Sequence, residues 1–258
     1  MNVFYFGTGA RRLFGLYRPG NGQGPAARAA VLCAPWGQEY LRAHRSMRQL
    51  GIQLNAAGFH VLQFDYYGTG DSAGDMTDAS IRDWEDDIAV AIDELRETSG
   101  ADRVTLIGLR LGATLAARSA VAQPTVVRDL ALWDPIVSGA DYVQELLRSA
   151  GGATPPADFA DPENVNGFPL TGTVAQELSS IDLVSLVGGF PRRTLAIASN
   201  EDASAPAPYP ALADALSRHD PASALESIQA PPAWVEYQGS GTSLMPIAAL
   251  RRITEWAT

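Results

Sequence analysis

The sequence has 258 residues, a formal net charge of −10, and 46% hydrophobic against 19% charged residues. The acidic balance and the lack of any basic run exclude a phosphate backbone as a binding surface, so we expect no nucleic-acid partner. A single cysteine, Cys33, excludes an internal disulfide framework.

The length and the uniform composition predict a single domain over residues 1–258. No apolar run is long enough to cross a bilayer, which excludes membrane insertion. The first residues lack the basic and apolar regions of a signal peptide, so we expect a cytoplasmic protein with a reduced cysteine. The sequence leaves open whether the protein forms homo-oligomers.

Short apolar runs alternate with helical patterns along most of the chain. Residues 2–6 and 12–18 predict an opening antiparallel hairpin. Further strands are predicted at residues 29–34, 60–64, 104–107, 130–133, 194–198 and 234–237, and helices at 43–57, from 81 to about 99, after 110 and at the C-terminus. This alternation predicts an α/β fold, with a mostly parallel central sheet and helices on both faces.

The pattern changes between residues 138 and 190, where helical pieces are separated by turns rich in glycine and proline. We interpret this stretch as a small helical lid insertion without a strand. The Pro-rich residues 203–210 predict a loop.

Residues 106–113 read Leu-Ile-Gly-Leu-Arg-Leu-Gly-Ala, the pattern of a nucleophile elbow. In such an elbow a buried strand turns through glycines into a helix, and the residue between them stands above the sheet. That residue is usually serine, but here it is Arg110. Arginine is always charged and offers only donors, so Arg110 serves neither as a nucleophile nor as a general base.

These motifs resemble the α/β-hydrolase superfamily over essentially the whole chain. The resemblance rests on the hairpin, the lid insertion and the motifs Asp65-x-x-Gly68-x-Gly70-x-Ser72 and Gly108-x-x-x-Gly112. More narrowly, residues 108–113, with Trp133-x-Pro135-x-Val137-Ser138-Gly139, resemble the exosortase A system-associated hydrolases, a serine aminopeptidase-like branch. Arginine occupies the elbow in that branch as well. The resemblance implies the α/β-hydrolase fold, a hydrolase label and a small-molecule substrate.

A serine hydrolase of this superfamily also needs an acid and a histidine at the carboxyl edge of the sheet. The sequence offers two candidates for the acid, Asp134 and Asp202, each of which follows a predicted strand. The loop 238–246, which follows the last predicted strand, contains no histidine. The sequence therefore lacks two of the three members of the triad.

Other reactive side chains have simpler structural explanations. Cys33 lies within a buried strand, and Ser72 fits a hydroxyl that forms a turn. We interpret the three histidines as structural or surface residues: His44, His60 and His219. No cluster has the spacing of metal ligands, and the Gly68-x-Gly70 motif is too short for a dinucleotide site, so we expect neither metal nor cofactor.

The Arg110 guanidinium requires a carboxylate partner, because it is expected to be half-buried against the positive end of a helix. Asp134 and Glu39 are the candidates. Two interpretations stay open. Arg110 binds an anionic group of a substrate, with the backbone N–H groups of Leu111 and Trp36 as an oxyanion hole, or the ion pair merely plugs an abandoned site.

Several aromatic side chains could supply an apolar pocket. They are Trp36, Tyr66, Tyr67 and Tyr142. Packing of the lid explains them equally well.

Three functional hypotheses follow. The first is an enzyme that acts on a small ester, acyl or carboxylate compound without a serine acyl-enzyme, by hydrolase-like, lyase or cyclase chemistry. Arg110 would stabilise charge, and Asp134, Glu39 or Asp202 would transfer protons. The second is a degenerate hydrolase that binds a small ligand without turnover. The third is a hydrolase with a displaced serine as its nucleophile.

Overall fold

The computed structural model describes residues 1–151, 162–202, 209–237, 239 and 243–258. Its helices and strands, in chain order, are β1 (Asn2–Thr8), β2 (Arg11–Arg18), β3 (Ala29–Cys33), α1 (Gly37–Ala56), β4 (His60–Phe64), α2 (Ile81–Ser99), β5 (Val104–Leu109), α3 (Leu111–Ala122), β6 (Val127–Trp133), α4 (Gly139–Ser149), β7 (Glu163–Val165), β8 (Phe168–Leu170), α5 (Gly172–Ser179), α6 (Leu183–Val187), β9 (Thr194–Asn200), α7 (Pro210–His219), β10 (Ala224–Gln229) and α8 (Ile247–Ala257). None of these helices combines the length and the hydropathy that crossing a bilayer requires.

Eight strands form one sheet in the order β1-β2-β4-β3-β5-β6-β9-β10. β1 and β2 form the predicted antiparallel hairpin, β2 pairs antiparallel with β4, and every later pairing in this sheet is parallel. The prediction of a mostly parallel sheet is confirmed.

The sheet is covered on both faces, which explains why its inner strands are apolar at every position. Along β3, Ala30 and Leu32 join a core with α1 and α8, whereas Val31 and Cys33 join the larger core beneath α2 and α3. A strand that is apolar at every position therefore contributes side chains to the cores on both faces of the sheet.

Helix α2 forms as its sequence predicts. Ser80 and Asp83 make a reciprocal capping box at its start, and Gly100 ends it in the left-handed conformation with φ +73°. Helix α1 begins earlier than predicted, at Gly37, so that Glu39 lies in its first turn.

The segment between β6 and β9 corrects one prediction. It contains helices α4, α5 and α6, but also the antiparallel pair β7–β8, so the expectation of a segment without strands is wrong. The pair turns at Asn166 and Gly167, which both adopt positive φ. An Asn-Gly turn of this kind favours a hairpin, and this signal outweighs the shortness of the two strands.

The C-terminal part corrects another. Residues 234–237 form no strand; within the described residues the last strand is β10, which pairs with β9. Pro231 and Pro232 separate β10 from residues 234–237, and proline cannot donate to a ladder. Within the predicted loop 203–210, residues 203–208 lie outside the described residues, and Pro210 begins α7.

Candidate active site

The elbow turns from β5 into α3 at Arg110, which has φ 54° and ψ −123°. A Cβ at Gly108 would overlap the backbone of Gly112 and Ala113, and a Cβ at Gly112 would overlap the carbonyl oxygens of Ala34 and Cys33. The two glycines therefore let the first turn of α3 pack directly on the ends of β5 and β3. Arg110, between them, has the strained backbone conformation that is typical of the residue at a nucleophile elbow.

The Arg110 side chain is buried, with 5% of its surface exposed, and it is paired twice. Its Nε donates to Glu39 Oε1 at 2.9 Å, and its Nη2 donates to Glu145 Oε1 at 3.1 Å and Oε2 at 3.3 Å. Tyr142 donates its hydroxyl to the other oxygen of Glu39 at 3.1 Å. Both oxygens of Glu39 are thus satisfied, and the ion partner of Arg110 is the Glu39 that the sequence named as one of two candidates.

Burial sets the electrostatics of this cluster. Desolvation raises the pKa of Glu39, although the adjacent Arg110 opposes the shift. For Arg110, burial acts to lower the pKa, but the neighbouring Glu39, Tyr142 and Glu145 outweigh it and the net pKa is raised. The guanidinium therefore stays charged, and a proton on this cluster is carried by the carboxylates.

Asp134 follows β6, as predicted, but it forms a different set of contacts. One carboxylate oxygen accepts the backbone N–H of Ser199 at 2.5 Å, and the other accepts Nε1–H of Trp234 at 3.3 Å. Burial raises the pKa of Asp134, against the effect of its bonds to Ser199 and of the Arg110 charge. Asp134 is held beside Arg110 rather than bonded to it.

Trp234 connects the two groups. Its ring lies 3.7 Å from Arg110 Cζ, a close cation–π contact, while its Nε1 reaches Asp134. No histidine follows residue 219 in the sequence. Indole is a donor only, so this side chain cannot act as a general base.

An apolar cavity of about 280 Å³ lies next to the elbow, where Leu111 forms part of its lining. Its lining residues are Ala34, Pro35, Trp36, Gly37, Tyr40, Leu41, Tyr66, Gly68, Thr69, Gly70, Met76, Trp84, Leu111, Leu115 and Phe168. Leu111 is the first residue of α3, so its N–H has no acceptor within the helix. The cavity thus offers an apolar volume next to an orphan backbone donor.

A second, more open recess of about 190 Å³ lies where the Arg110 cluster meets α4. Arg110, Tyr142 and Glu145 line it together with Tyr209. Of the aromatic side chains that the sequence proposed for a pocket, Trp36 and Tyr66 therefore line the apolar cavity, and Tyr142 lines this recess.

Two predicted site residues lie elsewhere. The guanidinium of Arg11 lies 4.5 Å from the centre of the Tyr67 ring, and Tyr67 lines neither cavity. Asp202 is exposed beyond β9, where its backbone N–H donates to Asn200 Oδ1 at 3.0 Å, and it also lines neither cavity.

The alternative nucleophiles and bases have structural roles. Ser72 donates to the Asp65 carbonyl at 2.5 Å and accepts the N–H of Phe14 at 2.8 Å. Burial raises the pKa of Cys33 to about 12. His60 is buried between the Tyr17 hydroxyl and the Gly22 carbonyl.

His44 is exposed on α1, and His219 is the last residue of α7.

Among the residues that the structure describes, no group of three His, Cys, Asp or Glu side chains could hold a metal ion.

Sequence reasoning missed two residues of the site, Glu145 and Trp234. Glu145 lies at position i+3 from Tyr142 on α4, so the two side chains lie on the same face of the helix. This spacing is a signal in the sequence that places Glu145 beside Tyr142. Trp234 was assigned to a strand, and nothing in its local sequence indicates that it would approach Asp134.

The comparisons with known proteins agree with this architecture. The family model described as "Serine aminopeptidase, S33" matches residues 25–157. Est1E from Butyrivibrio proteoclasticus, solved with ferulic acid, aligns with a TM-score of 0.75 at 18% identity, covering 98% of this chain and 96% of that one. A search of curated proteins finds no match.

Two further solved structures are similar. The Pyrococcus furiosus esterase Pf2001 has a TM-score of 0.70 at 16% identity and covers 99% of this chain and 89% of its own. Proline iminopeptidase from Mycobacterium smegmatis has a TM-score of 0.62 at 16% identity, with coverage of 99% and 95%. The predicted α/β-hydrolase fold is confirmed.

Proposed function

The chain belongs to the serine aminopeptidase family S33, and on that premise we propose that it acts on a small ester, acyl or carboxylate compound without forming a serine acyl-enzyme. The observation that carries the proposal is the apolar cavity of about 280 Å³ at Leu111. A ligand there has its polar end beside the N–H of the first turn of α3, where a developing negative charge is favoured. Two neighbours support this substrate class: Est1E, which was solved with ferulic acid bound, and the esterase Pf2001.

The absence of an acyl-enzyme follows from the residues at the elbow. Arg110 stands where serine is usual, and Trp234 is the group that contacts the acid. Neither an arginine nor an indole accepts a proton at accessible pH. In this proposal, hydrolysis uses water or an intramolecular group of the substrate as the nucleophile, and lyase or cyclase chemistry is equally compatible with these residues.

The residues suited to proton transfer are Glu39 and Asp134. Burial raises the pKa of both carboxyls, which brings them closer to the range in which an acid–base catalyst works near neutral pH. In this proposal Arg110 is a positioning residue that fixes Glu39. We assign Asp202 no role in this proposal, because it is exposed beyond β9, whereas Glu39 and Asp134 are buried beside Arg110. The motif resemblance to the exosortase A system-associated hydrolases supports the same substrate class.

A second candidate function is ligand binding without turnover, and one observation favours it. The Arg110 guanidinium is shared between Glu39 and Glu145 and stacked on Trp234, so its charge is already compensated within the chain. Such a compensated cluster plugs the former catalytic position and leaves the apolar cavity for a ligand.

One experiment separates these functions. The protein is incubated with p-nitrophenyl butyrate, with and without a fluorophosphonate probe, and its melting temperature is measured with butyrate. Hydrolysis that survives the probe supports the enzyme. Stabilisation by butyrate without hydrolysis supports the binding protein, and the absence of both effects contradicts both candidates.

A matched pair of variants assigns the effect to the cavity. Leu41 lies on α1, is 57% exposed and lines the cavity, so Leu41→Trp narrows the opening without disturbing the core. Ile52 lies on the same helix, is 41% exposed and does not line the cavity. Ile52→Trp is therefore expected to retain hydrolysis or binding that Leu41→Trp loses.

A further inference from the structure

Tyr40 separates two cavities at the carboxyl edge of the sheet. The elbow cavity of about 280 Å³ is adjoined by a smaller one of about 120 Å³, and both are lined by Ala34, Pro35 and Tyr40. Of these three residues, only Tyr40 has a long side chain that rotates about its own bonds. The Tyr40 ring is therefore the removable part of the wall between the cavities.

A hydrogen bond fixes this wall. Tyr40 donates its hydroxyl to Asp65 Oδ1 at 2.8 Å, and Asp65 Oδ2 accepts the backbone N–H of Asp71 at 3.0 Å. A Cβ at Gly70 would overlap the Asp65 carboxylate, so the glycine at this position lets the loop fold over it. The Asp65-x-x-Gly68-x-Gly70 motif thus has a specific effect, which is to hold the acceptor for Tyr40.

The smaller cavity has the character of an extension for an apolar chain. Six of its lining side chains are apolar: Phe14, Leu16, Ala34, Pro35, Met47 and Phe64. His44, Gln63 and Asp71 lie among its polar lining residues. An alkyl chain that passed Tyr40 would therefore enter a cavity with a mostly apolar lining.

We propose that Tyr40, held by Asp65, is the specificity-determining wall that limits the length of the acyl or alkyl chain in the elbow cavity. The inference rests on the proposed function, because it concerns the same ligand class. It adds that the 120 Å³ cavity is an extension of the site, which is continuous with the elbow cavity when the Tyr40 ring is removed or turned away.

The test is a series of straight-chain carboxylates, from butanoate to dodecanoate, titrated by calorimetry into wild type, Tyr40→Ala and Tyr40→Phe. In wild type the affinity rises by about fourfold per methylene until the chain fills the elbow cavity, and then it falls. Tyr40→Ala moves this maximum to longer chains by several carbons. Tyr40→Phe keeps the ring but loses the bond to Asp65, so it is expected to move the maximum less than Tyr40→Ala does.

The outcomes separate this inference from the proposed function. If wild type binds none of the carboxylates, the proposed function fails, and the inference fails with it. If wild type binds short chains but Tyr40→Ala has the same maximum as wild type, only the inference is overturned. Tyr40→Leu, a smaller truncation, is measured in parallel, so a folding defect in Tyr40→Ala does not remove the test.

Discussion

Trp234 donates its indole Nε1–H to the carboxylate of Asp134 at 3.3 Å, and the same ring lies 3.7 Å from Cζ of Arg110. In a serine hydrolase the group between the acid and the elbow is a histidine, which donates to the acid and accepts a proton from serine. Trp234 reproduces the first contact and cannot perform the second. Under the proposed function, the site keeps the connectivity of a triad while both reactive members differ.

This relationship predicts that serine reactivity can be restored. Arg110→Ser with Trp234→His supplies the nucleophile and the base beside Asp134, and Glu39→Gln removes the carboxylate that would lose its partner. We expect at least about tenfold more labelling by a fluorophosphonate probe than in wild type. Labelling is measured by intact-protein mass spectrometry.

Two controls define the result. Adding Asp134→Asn to the triple variant is expected to lower the labelling, because the histidine loses its orienting acid. Labelling of wild type itself at a serine such as Ser72 would contradict the non-serine mechanism and favour a displaced nucleophile.

The Arg110–Glu39 pair predicts a strong energetic coupling. Arg110→Met leaves Glu39 buried without its cationic partner and is expected to lower the free energy of unfolding by about 3–5 kcal/mol. The double variant Arg110→Met/Glu39→Gln keeps an acceptor for Tyr142 and should recover about 2 kcal/mol of that loss. Urea denaturation of the cycle measures the coupling.

Glu145 supplies the matched control for this cycle. Its side chain is 47% exposed, so Glu145→Gln is expected to cost less than about 1 kcal/mol although it contacts the same guanidinium. Equal costs for Glu145→Gln and Arg110→Met would show that burial does not control the strength of the cluster.

The elbow glycine predicts a steric effect. Gly112→Ala places a Cβ against the carbonyl oxygens of Ala34 and Cys33, which are backbone atoms of the central sheet. We expect a loss of about 3 kcal/mol in the free energy of unfolding, measured by chemical denaturation. In Gly51→Ala on α1, the nearest atom is Arg18 Nη1 at 3.2 Å, the end of a flexible side chain. That control should change stability by less than about 1 kcal/mol.

Asp65 predicts a pH effect on stability. Burial raises its pKa in the folded state, even though the Asp71 backbone and the Tyr40 hydroxyl oppose the shift. Between the ordinary pKa of 3.8 and the raised value, the folded state keeps a proton that the unfolded state has released. The contribution of Asp65 to the free energy of unfolding therefore falls as pH rises through this window.

In Asp65→Asn, we expect the free energy of unfolding to decrease less steeply as pH rises. Asparagine still offers an oxygen to the Asp71 N–H and a polar amide to the Tyr40 hydroxyl, so the loop is retained. Urea denaturation between about pH 4 and 7 measures the slope. Asp75→Asn is the control. Hydrogen bonds from Thr77 lower the pKa of the exposed Asp75, so removing this carboxylate is expected to leave the decrease in the free energy of unfolding with rising pH in place. An unchanged slope in Asp65→Asn would refute the assignment.

Local chemistry predicted most of the sheet and its helices correctly. The run at residues 60–64 predicted β4 to the residue, and the capping box and Gly100 predicted both ends of α2. The prediction failed where local preference was weak or misleading. β10 is an edge strand, and its residues are partly or fully exposed. Its sequence therefore lacks the continuous apolar run that identifies an inner strand. Residues 234–237 have high β propensity but lie outside the sheet.

The sequence by itself determined the α/β architecture, the elbow at Arg110 and the lack of serine and histidine at the expected positions, because strand burial, glycine geometry and residue identity are local properties. Only the tertiary structure decided which carboxylates meet the guanidinium. Glu39, Glu145 and Trp234 come from distant parts of the chain. Their meeting at Arg110 depends on how α1, α4 and the segment after β10 pack over the sheet edge, and sequence spacing carries no record of that packing.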